Sequence, residues 1–247
     1  MAKYTFYAYT VYVKNFRRDN VEYSFEKIRK TVAENGRQLL EINIKYPIFT
    51  DSGCDEAIND FYRSLAEKYG EYAENVRAKK AAATLKNEPE RRAFGEILIP
   101  KVILTKDGKY ISVILDVTSY DGIFAKERRL SQVWDTKTGY LIKYTSILPL
   151  SEKKAADIIE RNLEKELMSG DVHDYYNGCR RLCRKHFSPS CFFVTDRGIV
   201  FYYQSGLLCP QNEGTVCFTV ENADISRFEK RKGSPSRKEK DCQSNND

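Results

Sequence analysis

The chain has little of what most catalytic chemistry needs. Its 247 residues include two histidines, one tryptophan and two methionines. His173 and His186 are therefore the only imidazole bases, and no Gly-x-Ser-x-Gly turn presents a serine to either. No Walker loop exists, and no Gly-x-Gly-x-x-Gly follows a strand, so the usual phosphate cradles are missing. Acidic residues are plentiful but scattered along amphipathic stretches, and nothing pairs two of them as acid and base. Enzymatic activity and a cofactor are not expected.

Long apolar runs are missing too. No stretch approaches the roughly 18 residues a membrane-spanning helix needs. The opening "MAKYTFYAYTVYVKNFRRD" alternates apolar and polar residues without a small-residue cleavage site, which does not fit a signal peptide. Seven cysteines is an odd count, so complete internal pairing is impossible. The expectation is a cytoplasmic protein with reduced thiols, extracytoplasmic only if the N-terminus is incomplete. In an exported form, Cys179 with Cys191 and Cys209 with Cys217 are the pairs to watch.

What is present suits a folded domain. Hydrophobic residues make up 41% and aromatics 13% of the chain, and a net charge of +6 permits acidic partners without demanding nucleic acid. Residues 4–13 read as a strand, and two further strands are expected around Asn35-Gly36, a strong hairpin signal. A long helix follows, capped by Asp51 or Ser52, with Ile58, Phe61, Leu65, Tyr69, Tyr72 and Val76 as its apolar stripe. Strand pairs are then expected around Asp107-Gly108, around residues 136–139, and around residues 196–198. Between them lie a helix from the Ser151 cap to the Gly170 stop and a shorter helix within residues 171–187. Residues 214–225 supply a last strand. The expected fold class is α+β: antiparallel hairpins with helices packed on one face, in a single domain over residues 1–226. Residues 227–247, charged and nearly devoid of apolar side chains, are expected to be a disordered tail.

Trp134, the single tryptophan, sits in strand register with Leu130 and Gln132 ahead of a tight turn. That placement predicts a core aromatic under the helix that begins near Ser151, rather than a ligand contact. Cys179, Cys183, His186 and Cys191 form the sharpest ligand-like cluster, the first three sharing a helical face, and would suit zinc. Their spacing matches no common finger, and small buried thiols account for them as well. Weak nucleic-acid binding through Arg91-Arg92, Arg128-Arg129 and Arg180-Arg181 is a further alternative.

"VWDTKTGYLIKYTSIL", a Ser-capped helix and "FFVTDRGIVFYY" together carry a resemblance. Asp135, Thr138 and Gly139 match an aspartate-x-x-Thr-Gly turn. Phe192, Phe193, Thr195, Gly198, Ile199 and Phe201 match the hairpin that follows. Over residues 37–222 the chain resembles the extracellular domain of RsiV-type anti-sigma factors, found also ahead of the catalytic domain in PdaC-type peptidoglycan deacetylases. The resemblance implies a bacterial α+β binding module that catalyses nothing, with a lysozyme-like protein as a possible class of partner. The chain departs from the family in the loop before the Trp134 strand and in the loop before the last strand. No membrane anchor or sigma-binding segment has a counterpart. The contact surface expected is the loop over residues 120–129, with Tyr120, Asp121, Phe124, Arg128 and Arg129.

Overall fold

The structure is a computed structural model and describes residues 5–6, 13–18, 21–50, 54–170 and 173–222. Strands β3 (Val21–Glu34) and β4 (Arg37–Thr50) form the expected hairpin, turning at Asn35 (φ 52°) and Gly36 (φ 78°). Both turn residues need positive φ, which Asn and Gly supply with least strain. The outer edge of β3 is paired by two short segments, β1 (Thr5–Phe6) and β2 (Val13–Arg18), which cover only part of the strand expected over residues 4–13. The remainder lies outside the described residues.

Helix α1 (Asp55–Tyr72), a π-helical turn over Ala73–Arg77 and helix α2 (Ala78–Asn87) carry the chain across the sheet. The chain re-enters as β5 (Phe94–Leu104), parallel to β4, so this one connection is a β-α-β crossover. Every other named strand pair is antiparallel, including β5 with β6 (Tyr110–Tyr120) and β6 with β7 (Ala125–Asp135). After β7 come α3 (Glu152–Ser169), α4 (Cys179–His186) and a small sheet ordered β10-β9-β8, with β8 Phe192–Thr195, β9 Gly198–Tyr203 and β10 Val216–Glu221. The class is α+β, as expected. The proposed caps Asp51 and Ser52, and the tail, lie outside the described residues; the helix begins at Asp55 after Cys54.

Packing follows from which residues of β6 face which way. Ile111, Val113, Leu115 and Val117 point into a core shared with α1 and α2, where Ile58, Tyr62, Ala66, Ala81 and Leu85 are buried. Ser112 and Ile114 point to the opposite face, where Ile114 packs on Phe193, Val200 and Tyr202 of the small sheet. The far side of the small sheet carries a third cluster, in which Phe192, Phe201 and Phe218 meet Ile159 and Leu163 of α3. The order of layers is thus α1 and α2, large sheet, small sheet, α3 and α4. Ser151 accepts from the Lys154 N–H at 3.4 Å, and Gly170 closes α3 at φ 73°, as the sequence indicates.

Three expectations need correction. The apolar stripe of α1 does not run to its end: the buried face passes through Ile58, Tyr62, Ala66 and Gly70 and leaves Tyr72 51% exposed, and the π-helical turn that follows adds a residue and leaves Val76 50% exposed. The strand expected after Gly139 is only a bridge, Trp134 to Leu141. Past Ile142, whose N–H bonds to Val133 O, the chain dives at Tyr144 into the α3 core, and Gln204 takes the edge of β7 instead. Trp134 is buried in the core, but under α1 rather than α3. Its Nε1 donates to Tyr62 Oη at 2.9 Å, and the Phe61 and Tyr62 rings meet it edge-on.

Trp134→Ala removes this buried ring and should cost ~3–5 kcal/mol. Trp134→Phe should cost about 1 kcal/mol, mainly the lost bond to the buried Tyr62 hydroxyl. Equilibrium denaturation of the two variants checks this ordering, and an unchanged midpoint for Trp134→Ala would contradict the packing.

Candidate functional site

The motif residues are used locally. Asp135 Oδ1 accepts from the N–H groups of Lys137 (3.0 Å) and Thr138 (2.9 Å), and from the Thr138 hydroxyl at 3.1 Å. Gly139, at φ 69°, lies where a Cβ would come within 2.8 Å of Cys54 Cβ. In the second hairpin, the Arg197 N–H reaches Thr195 Oγ1, and a Cβ on Gly198 would sit 2.1 Å from Val220 O. These residues fix turns and close backbone approaches.

The cysteine cluster does not assemble. Cys179 and Cys183 are buried under α4 in the α3 core, whereas Cys191 packs in the cluster between the two sheets. His186 is partly exposed at the end of α4. Burial pushes the Cys183 thiol up to about 11, and its sulfur lies 3.2 Å from Tyr203 Oη. Among the described residues no three His, Cys, Asp or Glu side chains are placed to hold a metal ion. Cys179, Cys183, Cys191, Cys209 and Cys217 form no disulfide among the described residues. The basic pairs are similarly engaged, since Arg91 meets Glu88 and Asp121, Arg129 meets Asp116, and Arg180 meets Glu164.

The β6–β7 end is different. Asp121 organises the loop: its Oδ1 accepts from the Ile123 N–H (3.1 Å) and the Phe124 N–H (2.9 Å), and Arg91 Nη2 lies 3.1 Å from it. Its own N–H bonds to Phe124 O, and its carbonyl accepts from Arg91 Nε at 2.8 Å. Gly122, at φ 93°, could carry no side chain, because a Cβ would lie 2.4 Å from Arg92 O. The loop is therefore tightly held, yet it presents Ile123 at 55% and Phe124 at 72% exposure. Tyr120 turns inward, its hydroxyl donating to Gly122 O at 2.8 Å. Arg128 is exposed, while Arg129 is a structural residue: it pairs with Asp116 at 2.7 Å, and its N–H and C=O are bridged by the Gln204 carboxamide.

Beside this loop lies a cleft of about 450 Å³ that sequence reasoning missed. Arg77 lines it, and behind that lining Arg77 Nε pairs with Glu96 Oε2 at 3.3 Å, with side chains only 12% and 3% exposed. Ser119 Oγ donates to Glu96 Oε1 (2.8 Å), Arg77 Nη2 donates to Tyr120 O (3.0 Å), and the guanidinium lies 5.3 Å from the Phe94 ring centroid. Burial lifts the Glu96 carboxyl above the ordinary carboxylate range, against the pull of Ser119 and Arg77. Arg77 closes the π-helical turn, so the same extra residue that exposes Val76 turns Arg77 onto the sheet. One signal was available. Glu96 stands in register with Phe94 and Leu98, a carboxylate on the face that the alternation marks as buried.

No family model matches the sequence, and no curated protein matches it. Solved structures do. A DUF3298-family protein from Bacteroides fragilis is 14% identical, with 83% of this chain and 92% of that chain covered and a TM-score of 0.58. A DUF3298-family protein from Pseudomonas aeruginosa is also 14% identical, with 82% and 92% covered and a TM-score of 0.52. At that identity the likeness is one of fold, and it is compatible with the RsiV-type resemblance. This chain has the α+β fold of these DUF3298 proteins.

The loop makes a direct prediction about pH. The Phe124 and Ile123 N–H groups, with Arg91 behind them, hold the Asp121 carboxyl down to about 2. A depressed value means the loop's stabilisation is complete above the unperturbed value of ~4 and fades as pH falls through about 2. The backbone amide shifts of Ile123 and Phe124 should therefore titrate near 2 by NMR, and a midpoint near 4 would contradict the arrangement.

Proposed function

We propose that this domain is a non-enzymatic binding module that holds a protein partner at its β6–β7 end. One observation carries the reading: Ile123 and Phe124 are held in a fixed turn and are nonetheless exposed. A flexible loop that exposes aromatic residues could bury them by rearranging. Here the Asp121 bonds and the Gly122 backbone prevent that, so the side chains stay in water until something covers them. A rigid, exposed aromatic loses little conformational entropy on binding, which is what makes such residues anchors in interfaces.

The fold shared with DUF3298 proteins supports a module of this kind, and the RsiV-type resemblance makes lysozyme the first partner to offer. Nucleic acid fits less well, because one arginine of each basic pair already lies in an ion pair.

Phe124→Ser removes the anchor from an exposed position and should leave stability within about 0.5 kcal/mol of the wild type. Immobilised wild type and variant, offered lysozyme and whole bacterial extract, make the test. The expected result is a protein retained by the wild type and released by Phe124→Ser at equal melting midpoint. Equal retention by both, or no retained protein, would overturn the proposal.

A further inference from the structure

We propose that the cleft beside Phe124 receives a carboxylate side chain of the partner, so that the module recognises an acidic residue next to an apolar one. This rests on the binding reading above. The charges around the cleft decide the chemistry. Arg77 pairs with Glu96, and Asp121 shares Arg91 with Glu88. Lys80 and Lys126 also line the cleft; both are exposed, and neither appears in a salt bridge among the described residues. Glu127 offsets one of them. Over the lining side chains alone, Arg77, Lys80 and Lys126 stand against Asp121 and Glu127, a surplus of a single positive charge, which matches a monoanion.

A phosphate dianion would overfill that surplus and would approach Asp121 and Glu127. A carboxylate needs donors as well as charge. The Lys80 and Lys126 ammonium groups supply them, because the Ser119 hydroxyl already donates to Glu96 and the Gln211 amide to Ala125 O. Phe124 contributes to the same lining, so an apolar neighbour of the bound carboxylate has a surface to cover. The buried Glu96 keeps Arg77 in place behind the ligand and, as a like charge, limits the cleft to a weakly charged guest.

The test is an NMR titration of the full chain with four probes: a short peptide carrying a Phe-Glu pair, its Phe-Gln counterpart, glutarate and inorganic phosphate. The Phe-Glu peptide should shift the amides of Ser119, Lys126 and Phe124. The Phe-Gln peptide, glutarate and phosphate should each bind about tenfold more weakly or not at all. Lys80→Gln with Lys126→Gln, both at exposed positions, should weaken the Phe-Glu peptide by about tenfold at unchanged melting midpoint. Equal binding of the Phe-Gln peptide, an unaffected double variant, or no shift at these residues would overturn the proposal. Phosphate or glutarate binding as tightly as the peptide would overturn the assignment to a partner's side chain. A partner released by Phe124→Ser but kept by the double lysine variant would sink this proposal and leave the binding module standing. A partner indifferent to Phe124 would sink the binding reading itself.

Discussion

The Ser112 hydroxyl joins the two halves of this protein. It is fully buried near the start of β6, donates to Val194 O at 3.0 Å and accepts from Val194 N at 2.8 Å. In effect one side chain of the large sheet takes the place of a missing strand at the edge of β8. Ser131 does the same nearby, donating to Phe192 O. Without such partners the edge of β8 would carry unpaired peptide groups into the protein interior, at a cost of about 1–3 kcal/mol for each orphaned group. Because these bonds are satisfied, β6 can be buried on both faces, and two cores are held in one order of layers.

Two further strand edges meet the same device. The Gln204 carboxamide accepts from the Arg129 N–H and donates to Arg129 C=O, imitating a neighbouring strand on β7. Asn162 of α3 donates to Thr219 O on β10. Side chains that blunt strand edges discourage pairing with other chains. In the proposed reading recognition falls to loops and clefts, and the β6–β7 end combines a pinned, exposed aromatic with a polar cleft. The π-helical turn belongs to the same arrangement, since it directs Arg77 to that cleft.

Much of this was legible because turn chemistry is local. Asn35-Gly36, Asp107-Gly108, Asp135 with Gly139, and the Ser151 and Gly170 caps each declare a conformation within a few residues. The parallel pairing of β4 with β5 was not legible, since it depends on how two helices lie across the sheet. Nor could periodicity foresee the π-helical turn, which shifts the phase of the stripe without any breaker residue in Ala73–Arg77. Helical spacing brought Cys179, Cys183 and His186 together on paper, but Cys191 shares its face with Phe193 and so turns toward the other sheet. The site was half readable. Loop residues Asp121 and Phe124 stand out in sequence, whereas Arg77, Lys80, Ser119 and Lys126 come from four elements and meet only in the fold.

The claim on which the architecture depends is that a buried serine substitutes for a strand between the sheets. Two serines of β6 allow a direct comparison, Ser112 at the junction and Ser119 at the cleft. Ser112→Ala orphans the Val194 N–H and C=O and should lower unfolding free energy by ~2–4 kcal/mol, against about 1 kcal/mol for Ser119→Ala. Denaturant unfolding of the two variants side by side is the measurement. A clear excess loss for Ser112→Ala is the predicted result, and equal losses would contradict the account.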